Sequence, residues 1–494
     1  MTKDNYHLDL YLSKSLFIRG LQCQKSLYLQ KYHPELKDEI SDAQESLFLA
    51  GYEVGNYAKQ LFPGGVEIPY VGLTYSEQIE RTKAEIAGGV STLYEAAFSH
   101  KGVFVKVDIL YKGNAGWNIY EVKSSTEIKS VHLDDIAVQY YVVVGSRLPV
   151  SRTHLVHINN QYVRDGEIEP AKLFTIEDVT PAAEGKQGFV EEKISELQSM
   201  LAGSMPDIGI GKYCNDPYPC DFQGHCWQHI PQNSVFDLRR KGVDKFALYQ
   251  QGIIEMKDIP LDILNRSQRT QTEAFLQKKD VVDRKALRDF LGTLWYPIYF
   301  LDFETIYTPI PLYDGVRPYQ QVPFQYSIHS LSTENAELRH SEFLASPRED
   351  SRQTLLNKLL SEIPEGGCII SYTAFEAKRL SELSEWFPEH KGKLKQLIDN
   401  IRDLSAPFKQ MAYYHWKMNG SYSIKAVLPC LLPDMGYEGL EIRDGGMAIN
   451  AYLRMQDSND PDEIDKIRKA LLEYCKLDTL AMVKIMEKLR EMGV

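Results

Sequence analysis

Alternating hydrophobic and polar positions are clearest in the middle of the first half of the chain. Residues 103–110 and residues 117–122 are alternating runs, and the turn residues Gly113-Asn-Ala-Gly116 lie between them. Two such runs joined by turn residues predict a β-hairpin. The spacing of hydrophobic residues on either side predicts helices and one more short strand. These elements are helices over residues 41–62, 76–99 and 134–144 and a strand over residues 154–158.

A second group of elements begins at Trp295–Leu301, a hydrophobic run that is typical of a buried strand. The elements predicted after it are strands over residues 324–331 and 368–372 and helices over residues 352–362, 376–385 and 463–491. Residues 235–294, by contrast, are charged and mostly helical in pattern, without a predicted strand. Within them, residues 246–260 follow the pattern helix, Gly turn, helix. Such a hairpin either presents backbone N–H groups to a phosphate or is a packed linker.

This mixture of strands and helices predicts an α/β protein in three parts. We expect one domain over residues 1–232, a helical linker with a candidate helix-hairpin-helix over residues 233–294, and a second domain over residues 295–494. The length of 494 residues agrees with this division, since a folded domain has roughly 150 residues.

Composition narrows the class of protein. The chain is 43% hydrophobic, which excludes a mainly disordered protein. No apolar stretch reaches the roughly 18–20 residues that span a bilayer, and the polar residues 1–6 lack the pattern of a secretory signal. We therefore expect a cytoplasmic protein that does not bind membranes. The net charge of −12, from 56 basic and 68 acidic residues, argues against indiscriminate binding of nucleic acid over the whole surface.

The predicted hairpin carries a cluster of charged residues. Glu121 and Lys123 are two apart on the second strand and face the same side, and the hairpin brings Asp108 of the first strand alongside. Two buried carboxylates need a cation between them, and Mg²⁺ or Mn²⁺ would both neutralise them and activate a water molecule for attack on a phosphodiester. The alternative is an exposed strand with a cross-strand ion pair.

The pattern D-(x12)-E-x-K, formed by Asp108, Glu121 and Lys123, resembles that of the PD-(D/E)XK nuclease superfamily. The following segment, Asp134-Asp-Ile-Ala-Val-Gln-Tyr-Tyr141, resembles the Gln/Tyr helix of RecB-type members. The resemblance implies that Gln139 acts in the catalytic site with Lys123 and that Tyr141 contacts the substrate. Many relatives also carry a metal-binding His or Glu on an early helix, whereas residues 50–55 contain no His and offer only Glu53.

Four of the seven cysteines belong to the first predicted domain. Cys23 precedes the hairpin, and Cys214, Cys220 and Cys226 follow it in a turn-rich segment. This arrangement resembles the iron–sulfur subgroup of the superfamily, found in the AddB helicase-nuclease subunit and in CRISPR-adaptation nucleases. The resemblance implies that the four thiolates bind one [4Fe–4S] cluster that joins the ends of the domain. A structural Zn²⁺ site or four unconnected thiols are the alternatives, although the spacing lacks the C-x2-C pairs of most zinc modules.

The second predicted domain carries a different set of acids. Asp302 and Glu304 follow the apolar strand in the sequence Asp-Phe-Glu-Thr, and they are two apart, so both face the same side. Tyr474 and Asp478 are four apart on the predicted C-terminal helix and share one face of it. Glu376 begins another predicted helix.

These segments resemble the three motifs of the DEDD exonucleases, which have an RNase H-like fold. The resemblance implies that Asp302, Glu304, Glu376 and Asp478 hold two metal ions and that Tyr474 orients the attacking water. Glu376 stands where the family has Asp, and its extra methylene group shifts the carboxylate, which implies a different metal geometry or preference. The segment Gly420-Ser-Tyr-Ser-Ile-Lys425 resembles a loop of these enzymes in which Lys425 would meet phosphate. Each motif segment alone has an ordinary alternative, which is an exposed pair of acids at a strand end, a Glu favoured at a helix N-terminus by the helix dipole, or a buried Tyr beside a surface Asp.

Together these features resemble a bacterial family that joins a RecB-like, cysteine-bearing nuclease domain to a DEDD-type exonuclease domain. The resemblance implies a metal-dependent nuclease that hydrolyses DNA phosphodiesters at two separate sites. The first site would cut from 5′ ends or internally, and the second would act 3′→5′. Single-stranded DNA or DNA ends are the expected substrate, with RNA as an alternative. The chain lacks a nucleotide-triphosphate motif, so unwinding would need a helicase or another defence or repair partner. A nucleic-acid-binding scaffold with inactive sites, or an iron–sulfur redox sensor, are the other functions that the sequence allows.

Overall fold

A computed structural model describes residues 12–40, 42–364 and 366–493. The polar N-terminal residues, on which the expected absence of a secretory signal rests, lie outside the described residues. The chain folds into two compact units, one of residues 1–229 and 308–320 and the other of residues 230–307 and 321–494. Residues 233–294, expected to be a linker, thus belong to the second unit, and residues 308–320, expected in the second domain, belong to the first.

The first unit is built on one mixed sheet flanked by helices. Its strands are β1 Leu12–Ser13, β2 Val66–Glu67, β3 Thr92–His100, β4 Val103–Lys112, β5 Trp117–Lys123, β6 Val150–Ile158 and β7 Phe174–Asp178. Its helices are α1 Lys14–Gln22, α2 Gln24–Tyr32, α3 Asp42–Lys59, α4 Tyr75–Ala87, α5 Ser130–Gly145, α6 Pro170–Leu173, α7 Thr180–Gly185, α8 Gln187–Leu201 and α9 Gln223–Cys226, with short 3₁₀ turns at Pro34–Leu36 and Lys212–Cys214.

The strand order of this sheet is β2-β3-β4-β5-β6-β7, and β1 also pairs with β4. β3, β4 and β5 form an antiparallel meander, and β6 is parallel to β5. The predicted hairpin is confirmed as β4 and β5, in which Ile109 pairs with Tyr120. This register places Asp108 and Glu121 one position further along the two strands, next to each other.

One prediction is wrong in this unit. Residues 76–99 do not form a single helix, because α4 ends at Ala87 and residues 92–100 form the strand β3. Gly88 and Gly89 follow the helix, and Gly89 has a φ of +90°, which stops helical propagation. β3 is buried on both faces, including Leu93, Ala96 and Ala97. Alternation of hydrophobic and polar residues is therefore missing from its sequence, and the strand is hard to distinguish from a helix.

The second unit has a five-stranded sheet and a small two-stranded ribbon. Its strands are β8 Val281–Val282, β9 Ile298–Ile306, β10 Val322–Leu331, β11 Arg339–Leu344, β12 Cys368–Ser371, β13 Ile401–Asp403 and β14 Tyr413–Tyr414. Its helices are α10 Lys245–Gln250, α11 Arg266–Gln277, α12 Arg284–Leu291, α13 Arg352–Glu362, α14 Phe375–Trp386, α15 Lys391–Asp399, α16 Ala406–Lys409, α17 Ile424–Leu431, α18 Gly445–Asp457 and α19 Pro461–Gly493. It also has 3₁₀ turns at Val235–Asp237, Met256–Asp258, Leu261–Ile263, Pro388–His390 and Trp416–Met418.

The strand order of the five-stranded sheet is β11-β10-β9-β12-β13. β10 is antiparallel to both β9 and β11, whereas β12 is parallel to β9 and to β13. Leucines of α13 and α14 bury one face of this sheet together with Leu301 and Tyr326. The long helix α19 packs against β9 and β10. The first and last elements of this sheet domain are therefore in contact, although they are far apart in sequence.

The helical region before this sheet differs from its prediction in two details. β8 lies within residues 235–294 and pairs with β14, so that the region is not free of strands. The candidate helix-hairpin-helix consists of α10, a turn at Gly252 with a φ of +80°, and short 3₁₀ turns rather than a second α-helix. Among the described residues, no helix combines the length and the apolar character needed to cross a membrane.

Gly420 occupies a position in the second unit that only glycine fits well. Its φ is +74°, and a Cβ atom built on it would lie 2.4 Å from the backbone oxygen of Asp237 and 3.3 Å from the backbone nitrogen of Arg239. Backbone atoms cannot move away as a flexible side chain can. The loop that leads to Lys425 therefore depends on this residue.

We expect Gly420→Ala to lower the free energy of unfolding by about 2 kcal/mol or more, because it adds both left-handed backbone strain and a backbone clash. Chemical denaturation followed by circular dichroism measures this loss. The control is Gly439→Ala, since no atom lies within 4 Å of a Cβ at that position. Equal stability of the two variants would contradict the prediction.

Candidate metal centres

The first candidate centre surrounds the carboxylate of Glu121 on β5. Glu121 is 2% exposed. Its Oε1 accepts hydrogen bonds of 2.7 Å from Lys123 Nζ and of 2.7 Å from Lys14 Nζ. Its Oε2 accepts a 2.7 Å hydrogen bond from Gln139 Nε2 on α5. The structure thus brings the three predicted residues Glu121, Lys123 and Gln139 together.

Asp108 lies beside this group. Its Oδ2 accepts a 2.7 Å hydrogen bond from the backbone N–H of Val122. Asp108, Glu121 and Lys123 all line one open cavity of about 630 Å³. The predicted cross-strand cluster therefore faces a space large enough for a ligand rather than the hydrophobic core.

Two residues of this centre were not recognised in the sequence. Lys14 is the first residue of α1, and Asp135 is on α5 one turn before Gln139. Lys123 Nζ contacts Asp135 Oδ2, and Lys14 Nζ lies 3.6 Å from Asp135 Oδ1. Asp135 stands at a four-residue spacing from Gln139, and this was the available signal. No local motif marks Lys14, because the pairing of β1 with β4 and the packing of α1 on α5 bring this residue to the site.

The pKa values reflect this crowding of charges. Burial raises the pKa of Asp108, and the nearby charge of Glu121 raises it further. Burial also acts to raise the pKa of Glu121, but the charges of Lys123 and Lys14 outweigh burial and hold that pKa well below its usual range. The pKa of Lys14 is raised, because Asp135 and Glu121 outweigh the lowering effect of burial. Glu121 is therefore an ionised carboxylate, and its partners are protonated lysines.

Other residues considered for this centre lie elsewhere. The hydroxyl of Tyr141 is 3.4 Å from Glu191 Oε1 on α8, and Tyr141 is not among the residues that line the cavity. Glu53 is exposed and is also absent from the cavity lining, which does include Glu67 and Glu95.

The second candidate centre is formed by cysteines. Cys23, Cys214, Cys220 and Cys226 line one small pocket of about 20 Å³. Cys23 lies between α1 and α2, and the other three follow α8. Ser26 donates a backbone hydrogen bond to the sulfur of Cys23 (3.4 Å), and Gly211 donates one to the sulfur of Cys214 (3.5 Å).

The four thiols influence one another electrostatically. Burial raises the pKa of Cys226, and so do the charges of Cys220, Cys23 and Cys214 when these are thiolates. Four adjacent thiolates repel each other unless a cationic centre lies among them. The donor set therefore fits a metal or a metal–sulfur cluster, and either would bind to sulfur atoms supplied by both ends of the unit.

The third candidate centre lies in the second unit. Ligand atoms of Asp302, Glu304 and Asp478 all lie within 4.8 Å of one another. Asp302 and Glu304 belong to β9, and Asp478 belongs to α19, which packs on that strand. The predicted meeting of these acids from distant parts of the sequence is therefore present in the structure.

Glu376 stands next to this trio. It is the second residue of α14, is 1% exposed, and has an Oε2 atom without a hydrogen-bond partner. Its charge contributes to the raised pKa of both Asp302 and Glu304. A buried carboxylate oxygen without a partner costs free energy, and this oxygen is available to a cation.

Aromatic and basic side chains complete the third centre. The Tyr437 hydroxyl donates a 2.5 Å hydrogen bond to Asp478 Oδ1, and Tyr474, one helical turn before Asp478, packs 6.1 Å from the Tyr437 ring. Lys425 is exposed, and its Nζ lies 5.5 Å from the Tyr437 ring centre and 5.9 Å from that of Tyr474. Tyr437 was missed in the sequence because it stands in no recognisable motif.

The acids of the third centre attract protons strongly in the absence of a cation. Burial raises the pKa of Asp302 and Glu304, and the charge of Asp478 raises both further. Burial raises the pKa of Asp478 to about 6, although Tyr437 and Lys425 act in the opposite direction. Burial likewise raises the pKa of Glu376 to about 8. These directions are those expected for carboxylates that share a site for divalent metal ions.

Comparisons with known proteins give similarities without a function. A family model described as a domain of unknown function (DUF2779) matches residues 299–423, which include Asp302, Glu304 and Glu376 but not Asp478. The chain is also 30% identical over 189 residues to the protein named "Uncharacterized protein UU173" from Ureaplasma parvum serovar 3. That match covers 35% of this chain and 27% of the relative, so the chain spans about a quarter of the relative's length.

Proposed function

We propose that this protein is a metal-dependent nuclease with two separate sites for phosphodiester hydrolysis. The observation that carries the proposal is the cluster of Asp302, Glu304 and Asp478, whose ligand atoms lie within 4.8 Å of one another. Carboxylates at this separation are typical ligands of Mg²⁺ and Mn²⁺. With Glu376, the cluster offers enough oxygen atoms for a site that binds two ions, as in other phosphoryl-transfer enzymes.

The topology of the second unit supports an RNase H-like exonuclease domain. Its sheet has three antiparallel strands followed by two parallel ones in the order β11-β10-β9-β12-β13, with the acids on the central strand β9. The remaining acids come from α14 and from the C-terminal helix α19, as in DEDD exonucleases. The proposed 3′→5′ direction rests on this analogy of fold.

The topology of the first unit supports a PD-(D/E)XK nuclease domain. A helix precedes the meander of β3, β4 and β5, and the helix α5 then leads to β6, which is parallel to β5. Asp108, Glu121 and Lys123 lie at the open cavity of this sheet, and Gln139 on α5 holds Glu121. By the same analogy this site would cut from 5′ ends or internally.

Bound Mg²⁺ or Mn²⁺ would neutralise the carboxylates and lower the pKa of a water molecule at each site. The chain's own residues would position the substrate. In the first site, Lys123 is a protonated ammonium group beside Glu121 and can stabilise negative charge on a phosphate. In the third centre, which would be the second hydrolytic site, Tyr437 fixes the carboxylate of Asp478. The exposed Lys425 can pair there with the phosphate of an incoming strand.

We further propose that Cys23, Cys214, Cys220 and Cys226 hold a [4Fe–4S] cluster. The four sulfur atoms come from both ends of the first unit and line one pocket. A cluster there would join these ends and would stabilise the fold without taking part in hydrolysis. Zn²⁺ is the alternative occupant of the same thiols.

The two sites predict two separable activities. We expect Asp302→Asn or Asp478→Asn to reduce 3′→5′ degradation of labelled single-stranded DNA by about 10²- to 10³-fold, because each substitution removes a metal ligand of the third centre. We expect Glu121→Gln to reduce cleavage from 5′ ends or at internal positions by about the same factor, because it removes a metal ligand of the first centre. Assays with 5′- and 3′-labelled DNA and RNA in the presence of Mn²⁺ measure both cleavage activities. Exposed Asp434→Asn serves as the control for charge. DNA binding without any metal-dependent cleavage would instead support a scaffold.

The raised pKa values of the third centre predict how stability depends on pH. Asp478 and Glu376 have pKa values of about 6 and about 8 in the folded protein, against ordinary values of 3.8 and 4.5. Between about pH 4 and pH 8 the metal-free folded state therefore holds protons that the unfolded chain has released, and the free energy of unfolding falls as pH rises. Thermal melting in EDTA should show this fall.

Added Mn²⁺ should raise the melting temperature more at pH 8 than at pH 5, because it competes with protons for the same oxygens. The Asp302→Asn variant should show a weaker dependence on both pH and Mn²⁺, since one of the repelling charges is absent. A wild-type dependence in this variant would contradict the assignment of the pH effect to this centre.

The cysteine centre predicts a spectroscopic signature. Protein purified without oxygen should contain about four iron atoms per chain and absorb near ~400 nm. We expect Cys220→Ser to lose the iron and the absorption, whereas Cys430→Ser, a thiol of the second unit, should keep both. Colourless protein with one zinc ion per chain would replace the iron–sulfur assignment by a zinc site.

A further inference from the structure

Lys14 is an unexpected cation within the first candidate centre. Its Nζ lies 2.7 Å from Glu121 Oε1 and 3.6 Å from Asp135 Oδ1, and its side chain is 20% exposed. Lys123 contacts the same two carboxylates. Glu121 and Asp135 are therefore bridged by two ammonium groups, one from α1 and one from β5.

The positive charge of Lys14 changes the net charge of the first candidate centre and therefore affects how that centre binds a metal ion. With all groups ionised, the carboxylates of Asp108, Glu121 and Asp135 carry three negative charges and the two lysines carry two positive charges, which leaves a net charge of −1. One divalent ion would change this to +1, which suits a singly charged phosphodiester. The other charges of the cavity cancel, since Lys59 pairs with Glu67 and Lys106 pairs with Glu95.

The position of Lys14 is fixed from the other end of α1. The side chain of Gln22 donates two hydrogen bonds of 2.7 Å to the backbone oxygens of Tyr213 and Tyr218, in the cysteine-bearing segment. Arg19 forms a 2.7 Å ion pair with Asp221 of the same segment. Cys23 directly follows α1. This short helix is thus anchored at the cysteine centre while its first residue enters the acidic site.

We propose that Lys14 is a positioning residue of the first site, which holds Glu121 and Asp135 and takes the place of a second cation, so that the site binds one divalent ion. This inference rests on the proposed nuclease function of that site. It makes a prediction that a purely stabilising ion pair does not make. Loss of Lys14 should strengthen metal binding, because a repelling charge is removed, and should weaken cleavage, because the loaded site no longer carries a positive charge for the phosphate.

The test uses the full-length protein with Asp302→Asn in all samples, so that the third centre contributes little to Mn²⁺ binding or to cleavage. Mn²⁺ affinity is measured by the electron paramagnetic resonance signal of the free ion, and cleavage of labelled single-stranded DNA is measured on the same samples. We expect Lys14→Met to tighten Mn²⁺ binding at least about fivefold and to lower kcat by about 10²-fold. Lys14→Arg keeps the charge, and we expect it to keep Mn²⁺ affinity within about twofold and to restore most of kcat.

Two controls separate the possible outcomes. Lys101→Met removes an exposed ion-paired lysine of the same unit and should change neither quantity. Glu121→Gln should weaken Mn²⁺ binding, and if it does not, the proposed first metal site itself fails. If Glu121→Gln weakens binding but Lys14→Met leaves Mn²⁺ affinity unchanged or weaker, or if Lys14→Arg behaves like Lys14→Met, then the role of Lys14 is overturned while the metal site stands.

Discussion

Repulsion between carboxylates that are buried together is the constraint on which both units depend. Each unit places several acids at one edge or face of a sheet, where water cannot screen them fully. In the first unit this repulsion is reduced by lysines of the protein itself, because Lys14 and Lys123 both contact Glu121 and Asp135. The third centre has one nearby cation, the exposed Lys425, among the groups that affect Glu304 and Asp478. The repulsion between the acids of the third centre is therefore relieved mainly by bound protons or bound metal ions.

This difference in nearby cations decides the direction of the pKa shift at Glu121, although burial raises the pKa of Asp108 and of Asp135 in the same site, as it does for the acids of the third centre. Glu121 is held as a carboxylate, whereas Asp302, Glu304 and Asp478 bind protons more tightly than ordinary acids. A site with internal lysines is already arranged before it binds a metal ion. A site made almost entirely of acids sacrifices stability until a metal ion arrives, which is a common cost of function in enzymes.

Both sites are assembled from parts of the chain that are distant in sequence. In the second unit, the packing of α19 on β9 brings Asp478 to Asp302 and Glu304 across more than 170 residues. In the first unit, α1 reaches from the cysteine segment to Glu121. The cysteine centre is thus connected with the acidic centre by one short helix, and a structural role for the cysteines can affect the site without any redox chemistry.

The sequence by itself determined the local elements and most of the acids. Regular alternation marked β4 and β5, and the four-residue spacing of Tyr474 and Asp478 placed both on one face of a helix. The spacing of hydrophobic residues did not predict β3, because that strand is buried on both faces. It did not predict β8 or β14 either, because each is two residues long and is defined only by pairing with the other. Lys14 and Tyr437 became visible only in the tertiary structure, because each joins its site through the packing of distant elements rather than through a neighbouring motif, whereas Asp135 shares a helix face with Gln139 and could have been found by its four-residue spacing. Local patterns report which way a side chain faces along its own element, whereas the partner that it meets is decided by how distant elements pack.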